Sequence, residues 1–325
     1  RAKEESPLEV RPLKNMRNLK EDLGIKTSAT IGLEMDVLPC SFYFRVNKAL
    51  EDASFVDVAE RIKHIRSVKS EFEIKLAKEA AQMLVEGFST VPDHIKEGMT
   101  EVELMCRMES EMRLMGHQGS LRFRRFNSIV PIGHIMSGSS AAIPSFLASP
   151  TGGKGTSVVF PHGPGYRKIK RNEPVFVDTV GICNGYIADA TRIFSLGKIE
   201  PGLVEAYEAS CQIEEAIARE MMPGRTAREL FELSESEGAR LGYGDFLGGP
   251  VGSKCGFVGH GVGLELDEYP VLAPLDHEIQ EGMTIAVEPK IIYPGKGVLG
   301  VEDTFLTTSS GALRLTEMPL EIWEV

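Results

Sequence analysis

Asp178, Asp189, His260, Glu288 and Glu302 combine residue types and surroundings that can do chemistry. The two aspartates lie in PVFVDTVGICNGYIADATRIFSL, where apolar residues alternate around Asn184-Gly185, a pair that favours a two-residue hairpin turn. Pairing Cys183 with Tyr186 sets Val180 opposite Asp189 and Asp178 opposite Thr191, so the aspartates share one face as diagonal neighbours. Two carboxylates aimed together in a half-buried sheet repel unless a proton or a cation lies between them. Surface acids on an exposed hairpin are the alternative reading of this segment. Glu288 in TIAVEP and Glu302 in VLGVED weaken it, because each stands in an otherwise apolar strand where burial penalises an uncompensated charge. His260 sits among Gly259, Gly261 and Gly263, glycines that a turn with positive φ would equally require. Four such carboxylates and one histidine make a hard, oxygen-rich set able to hold two divalent cations with an open coordination position. A water held by such a pair is acidified and poised to attack, so the chemistry in view is metal-assisted hydrolysis.

The elements that must position these residues alternate in blocks rather than in a strict βαβ rhythm, which favours an α+β domain with antiparallel sheet. Residues 1–67 read as a partial N-terminal domain and linker, with a strand-like ATIGLEMD, a Pro-Cys break and a charged segment ending in ERIKHIRSVKS. Residues 68–325 read as the larger domain. Ser70-Glu-Phe-Glu73 is a capping-box pattern, followed at helical spacing by Ile74, Ala77, Ala81, Leu84, Val85 and Phe88. Thr100-Glu-Val-Glu103 repeats the signature ahead of Val102, Met105, Met108, Met112 and Met115, a stripe read as core filling. Residues 120–198 turn β-like with Gly- and Ser-rich turns, helices are expected over 201–222 and 227–241, and strands return over 255–325.

With 325 residues and 42% hydrophobic content the chain can bury a substantial core. Its net charge of −11 argues against nucleic acid, whose binding needs clustered Lys and Arg. Arg122, Arg124 and Arg125 form one basic cluster, read either as a solvated strand edge or as a contact for a substrate anion. Five cysteines without C-x-x-C spacing indicate neither a disulfide framework nor a structural zinc site, which fits a cytoplasmic setting. No apolar run is long enough to cross a membrane, and RAKEESPLEVRPLK has no signal-peptide core. The opening Arg in place of Met points to trimming.

The ordered set Asp178, Asp189, His260, Glu288 and Glu302, within VDTVGICNGYIADATRIF, GHGVGLELDEYP, EGMTIAVEP and GVEDTFLTTSSGALRLT, resembles the pita-bread metallopeptidase superfamily, in particular its Xaa-Pro aminopeptidase and prolidase group. The likeness runs from about residue 68 to 325. The segments IGLEMDVLP and VDVAERIKHIRSVKSEFEIKLAKEAA resemble the end of that group's small N-terminal domain and its entry helix, as if that domain were truncated or reduced. The resemblance implies that Asp178 binds one metal, that Asp189 and Glu302 bridge, and that His260 and Glu288 bind the other. Glu288 would also take a proton from the bridging water. It implies two divalent ions (manganese, cobalt or zinc), with oxygen-rich ligation favouring manganese. Thr191 becomes a hydrogen-bond donor behind the ligands, and a homodimer is expected.

Departures from the family pattern concern the substrate. Asp267 stands where relatives usually carry a histidine in HE-x-P, Ser145 follows Pro144 where they carry P-H, and Gly300 replaces a common Arg. Those histidines contact the scissile carbonyl or the tetrahedral intermediate, and each such donor is worth roughly 2.7 to 4 kcal/mol. Three readings follow. The first is an Xaa-Pro peptidase that draws these contacts from His134, Ser145 or the metals. The second is an enzyme acting on a non-peptide small molecule with Asp267 as general base. The third is a non-catalytic binding module, disfavoured because all five ligand positions are kept. His64, His94, His117, His162 and His277 have no motif support and read as ordinary histidines.

Overall fold

The chain divides at residues 65 and 66, two positions ahead of the boundary expected from sequence, in the computed structural model, which describes residues 2–13, 15–124, 130–145, 149–249 and 252–325. In the first unit, strand β1 (Thr30–Leu33) pairs in parallel with β2 (Ser54–Asp57), and helix α1 (Cys40–Ala49) connects them. The Pro-Cys break is the start of that helix: Pro39 is its N-cap, a position where the missing N–H costs nothing. Helix α2 (Ala59–Ser67) carries the chain across the division.

The second unit opens with α3 (Glu71–Ser89) and α4 (Glu101–Leu114), each started by the expected capping box. Ser70 and Thr100 accept from the N–H groups of Glu73 and Glu103, whose carboxylates accept in return from the capping N–H groups. Leu76, Ala77, Ala81, Leu84 and Phe88 are buried, as are Leu104, Met105, Met108 and Met112, while Met115 lies past the helix end and leaves the stripe.

Strands β3 (Gly133–Ser137), β4 (Val175–Cys183) and β5 (Tyr186–Ser195) follow. The β4/β5 hairpin has the register read from its turn: Cys183 faces Tyr186, Val180 faces Asp189 and Asp178 faces Thr191. Asn184 and Gly185 take φ of 48° and 86°, the left-handed values that a type I′ turn requires. Between β3 and β4 the expected β character fails. The described residues of 141–174 form no strand, and the buried Glu101 carboxylate ties this loop to β3 by accepting from the N–H groups of Gly165 and Ser137.

Helices α5 (Pro201–Glu220) and α6 (Ala227–Arg240) precede β6 (Gly259–Gly261), β7 (Glu268–Val271), β8 (Thr284–Val287), β9 (Lys290–Tyr293), β10 (Gly297–Gly300), β11 (Asp303–Thr308), β12 (Gly311–Arg314) and β13 (Trp323–Glu324). One sheet runs β13-β5-β4-β3 and a second β12-β11-β8-β6-β7, with β9 and β10 paired to each other. Among the described residues, the strand pairings of this unit are antiparallel except β13 with β5. The hairpin separates two apolar cores. Val175, Val177 and Phe194 face one with α3 and α4, while Phe176 and Ile193 face the other with α5, α6 and the second sheet. Strand β5 is therefore buried along its whole length rather than half-buried, and any charge on it is fully desolvated.

Candidate metal centre

The five predicted residues meet where the two sheets join. Asp178 lies within β4, Asp189 on β5, His260 on β6, Glu288 just after β8 and Glu302 just before β11. Backbone bonds lock the join. Thr191 and Glu302 exchange N–H to carbonyl bonds at 3.1 and 3.3 Å, and the Asp189 N–H donates to Thr304 Oγ1 at 2.8 Å. Behind it the fully buried Arg192 guanidinium donates to both oxygens of Asp303 at 2.9 Å and to the Glu302 carbonyl at 3.0 Å. Thr191 Oγ1 donates to Glu302 Oε2 at 3.0 Å, so the hydroxyl expected behind the ligands serves Glu302.

Asp189, His260 and Glu302 each bring one donor atom within 4.8 Å of the others, and all three are buried. Asp189 Oδ1 is buried without a hydrogen-bond partner. Burial and the carboxylates of Glu302 and Asp178 push the Asp189 pKa well up, and burial lifts Glu302 to about 7. An orphaned carboxylate oxygen beside a second acid and an imidazole is the chemistry a divalent cation satisfies, so the donor set fits one. His260 Nε2 stands 3.5 Å from Glu288 Oε1 and 4.0 Å from Glu302 Oε1. Its Nδ1 faces the Gly261 carbonyl at 3.1 Å and Asp267 Oδ1 at 3.6 Å. Burial resists protonation of this ring, but Asp267, Glu288 and Glu302 together outweigh it and raise its pKa. Asp267 thus lies against the His260 nitrogen that points away from Glu288 and Glu302. The glycines beside His260 are required by close approach rather than by positive φ: a Cβ at Gly259 or Gly261 would lie 2.4 or 2.3 Å from the carbonyl oxygens of Ala286 or Tyr269.

Lys290 is a site residue that sequence reading missed. Its Nζ donates to Asp178 Oδ2 at 2.9 Å, Glu288 Oε2 at 2.7 Å and Glu302 Oε2 at 2.8 Å. Burial disfavours its charge, but these three carboxylates overcome that and hold it firmly protonated. The signal was present in AVEPKIIY: a charge in an apolar strand, the same feature that singled out Glu288 and Glu302. Gly300 faces Lys290 across the β9/β10 pair, and a Cβ there would lie 2.7 Å from Lys290 Cγ.

A cleft of about 80 Å³ opens over these groups, with Phe123, Val130, Phe257 and Leu266 among its apolar walls and His134, Ser145 and Asp267 among its polar ones. His134 faces Asp178 in the β3/β4 register, and its Nδ1 is buried without a hydrogen-bond partner. Burial lowers its pKa, only partly opposed by Asp178. Arg124 pairs with Glu265 Oε2 at 3.6 Å with little solvent contact, so it is no solvated strand edge, and Arg125 lies outside the described residues. Arg66 pairs with both Glu265 and Glu268.

Comparison with known proteins agrees with this fold. Residues 75–309 match the model of metallopeptidase family M24, and residues 1–68 match the creatinase/prolidase N-terminal domain. The chain is 30% identical over 323 residues to an Xaa-Pro dipeptidase of Pyrococcus horikoshii, covering 99% of this chain and 82% of that one. Among solved structures it superposes on an X-Pro aminopeptidase from Thermotoga maritima with a TM-score of 0.83 at 26% identity, covering 100% of this chain and 84% of the other. A prolidase from Pyrococcus furiosus gives 0.79 at 28% identity, covering 98% and 84%. The expected α+β pita-bread architecture is thus the fold observed. By the extent of the family match and the likeness to these peptidases over almost the whole chain, this protein belongs to metallopeptidase family M24.

Proposed function

We propose that the chain is a metal-dependent Xaa-Pro peptidase that removes the residue preceding proline. The observation that carries this reading is the convergence of Asp178, Asp189, His260, Glu288 and Glu302 on one apolar-walled cleft. Asp189, His260 and Glu302 would hold the cation, with manganese favoured over cobalt or zinc by the oxygen-rich donors. A bound divalent ion supplies Lewis-acid polarisation of a carbonyl and acidifies a neighbouring water. The chain's own groups do the rest. Glu288 Oε2 is engaged by Lys290, which leaves Oε1, on the His260 side, to take the proton of the attacking water. His134 presents its unpaired Nδ1 to the substrate, and Ser145 adds a polar contact on the same wall. Phe123, Val130, Phe257 and Leu266 suit a prolyl ring, which has no N–H to satisfy once acylated. The family resemblance supports a homodimer, which light scattering on the purified protein tests, and the five cysteines without C-x-x-C spacing suit a cytoplasmic setting.

A second reading has its own support. The cleft is far smaller than the roughly 300–1,000 Å³ of drug-sized ligand sites, and an acid, Asp267, stands where the peptidases place a histidine. A small non-peptide substrate fits both facts. Mass spectrometry of Xaa-Pro dipeptides and longer Xaa-Pro peptides incubated with manganese-loaded protein separates the two. Metal-dependent release of the N-terminal residue is expected, and intact peptides after incubation with fully loaded protein would transfer the assignment to the small-molecule reading.

A further inference from the structure

We infer that the Lys290 ammonium is a built-in cation standing in place of one ion of the expected pair, so that the centre takes a single divalent ion at Asp189, His260 and Glu302. The inference rests on the metal-site reading above only for that remaining ion. An ammonium has three N–H donors, and here each has its own carboxylate, on Asp178, Glu288 and Glu302, at 2.7 to 2.9 Å. With all three bonds made and no lone pair, Nζ acts as a point charge rather than a nucleophile. Asp178 and Glu288, the acids expected to bind separate ions, are thereby clamped to one nitrogen.

The position is built rather than incidental. Lys290 is 2% exposed, its Nζ lies 5.5 Å from the centre of the Phe176 ring, and the absent side chain at Gly300 clears the path of its stem.

The test is ion stoichiometry, independent of any substrate. Wild-type protein and Lys290→Ala are dialysed to saturation against manganese, the metal per chain is measured by elemental analysis and native mass spectrometry, and folding is followed by circular dichroism. The count should rise by one in Lys290→Ala, from one to two. Two ions in the wild type, or an unchanged count in a folded variant, would overturn the proposal. A wild type that binds no ion would overturn the single-ion centre and the peptidase reading with it, whereas two ions would overturn the proposal and leave that reading standing. Because Lys290→Ala leaves acids facing one another and can fail to fold, a second measurement uses the wild type alone. In protein carrying ¹⁵N-lysine, a slowly exchanging Nζ ammonium resonance assigned to Lys290 should persist when zinc saturates the site. Its loss on zinc binding would show that the ion evicts the ammonium and would sink the idea.

Discussion

His260 is gripped from two sides, with carboxylates at its Nε2 and Asp267 near its Nδ1. From that placement we infer an orienting role for Asp267, which competes with the general-base role considered from sequence. Asp267→Asn should therefore weaken ion affinity about 10- to 100-fold, measured by competition with a chelator, and leave turnover at saturating ion nearly intact. A collapse of turnover in the fully loaded variant would restore the base. Replacing Asp189 by Ala removes a donor with an unpaired buried oxygen and should abolish stoichiometric metal binding. His134→Ala should lower kcat/KM on the order of 10²-fold at unchanged metal content, the loss expected for one polar contact to a reacting carbonyl. The acids of the centre were legible in the sequence because carboxylates in apolar strands demand an explanation. Lys290 meets the same criterion, but a basic residue next to a proline reads equally well as a strand-end charge. Only the fold reveals which acids it touches.

At the scale of elements, the capping box of α3 reaches beyond its own helix. Glu73 accepts from the Ser70 N–H at 2.8 Å and from the Tyr186 hydroxyl at 2.9 Å, tying the helix start to the hairpin that carries Asp189. Burial works against ionisation of Glu73, but bonds from Ser70 and Tyr186 prevail and hold its pKa below the ordinary 4.5. A depressed acid contributes stability that is complete above its unfolded pKa and lost as pH falls through the folded value. Glu73→Gln should cost about 1 kcal/mol at pH 7, and the difference from wild type should vanish on acidification well below pH 4.5, measured by urea titration across that range. The hairpin register was readable because the turn type dictates it. The loop over 141–174 was not, because glycines and serines announce turns without saying whether strands connect them. There the decision lies with tertiary bonds such as those of Glu101, supplied from a distant helix.

At the scale of the molecule, the two units of residues 1–65 and 66–325 should respond differently to metal. Of the proposed donors, Asp189 and His260 lie on strands of the two different sheets of the second unit, so an ion bound there would staple those sheets together. Manganese at 100 times its dissociation constant should stabilise that unit by about 2.7 kcal/mol. Calorimetry with metal and with chelator should show the transition of residues 66–325 moving upward and the transition of residues 1–65 standing still. Equal shifts of both would contradict a donor set confined to the larger unit. The overall architecture was legible because five ligand motifs in order carry the fold with them. The size of the cleft was not, since it depends on how side chains from several strands and loops fill the space together.

Lys290 and Gly300 also constrain each other through time. The lysine stem passes where any side chain at 300 would begin, at 2.7 Å, so a chain with a larger residue there has no room for it. Loss of the side chain at 300 must then precede gain of the lysine, while loss of the lysine meets no steric bar. Among homologues the two positions should vary together in one direction: lysine at 290 only beside glycine at 300, and glycine at 300 with or without the lysine.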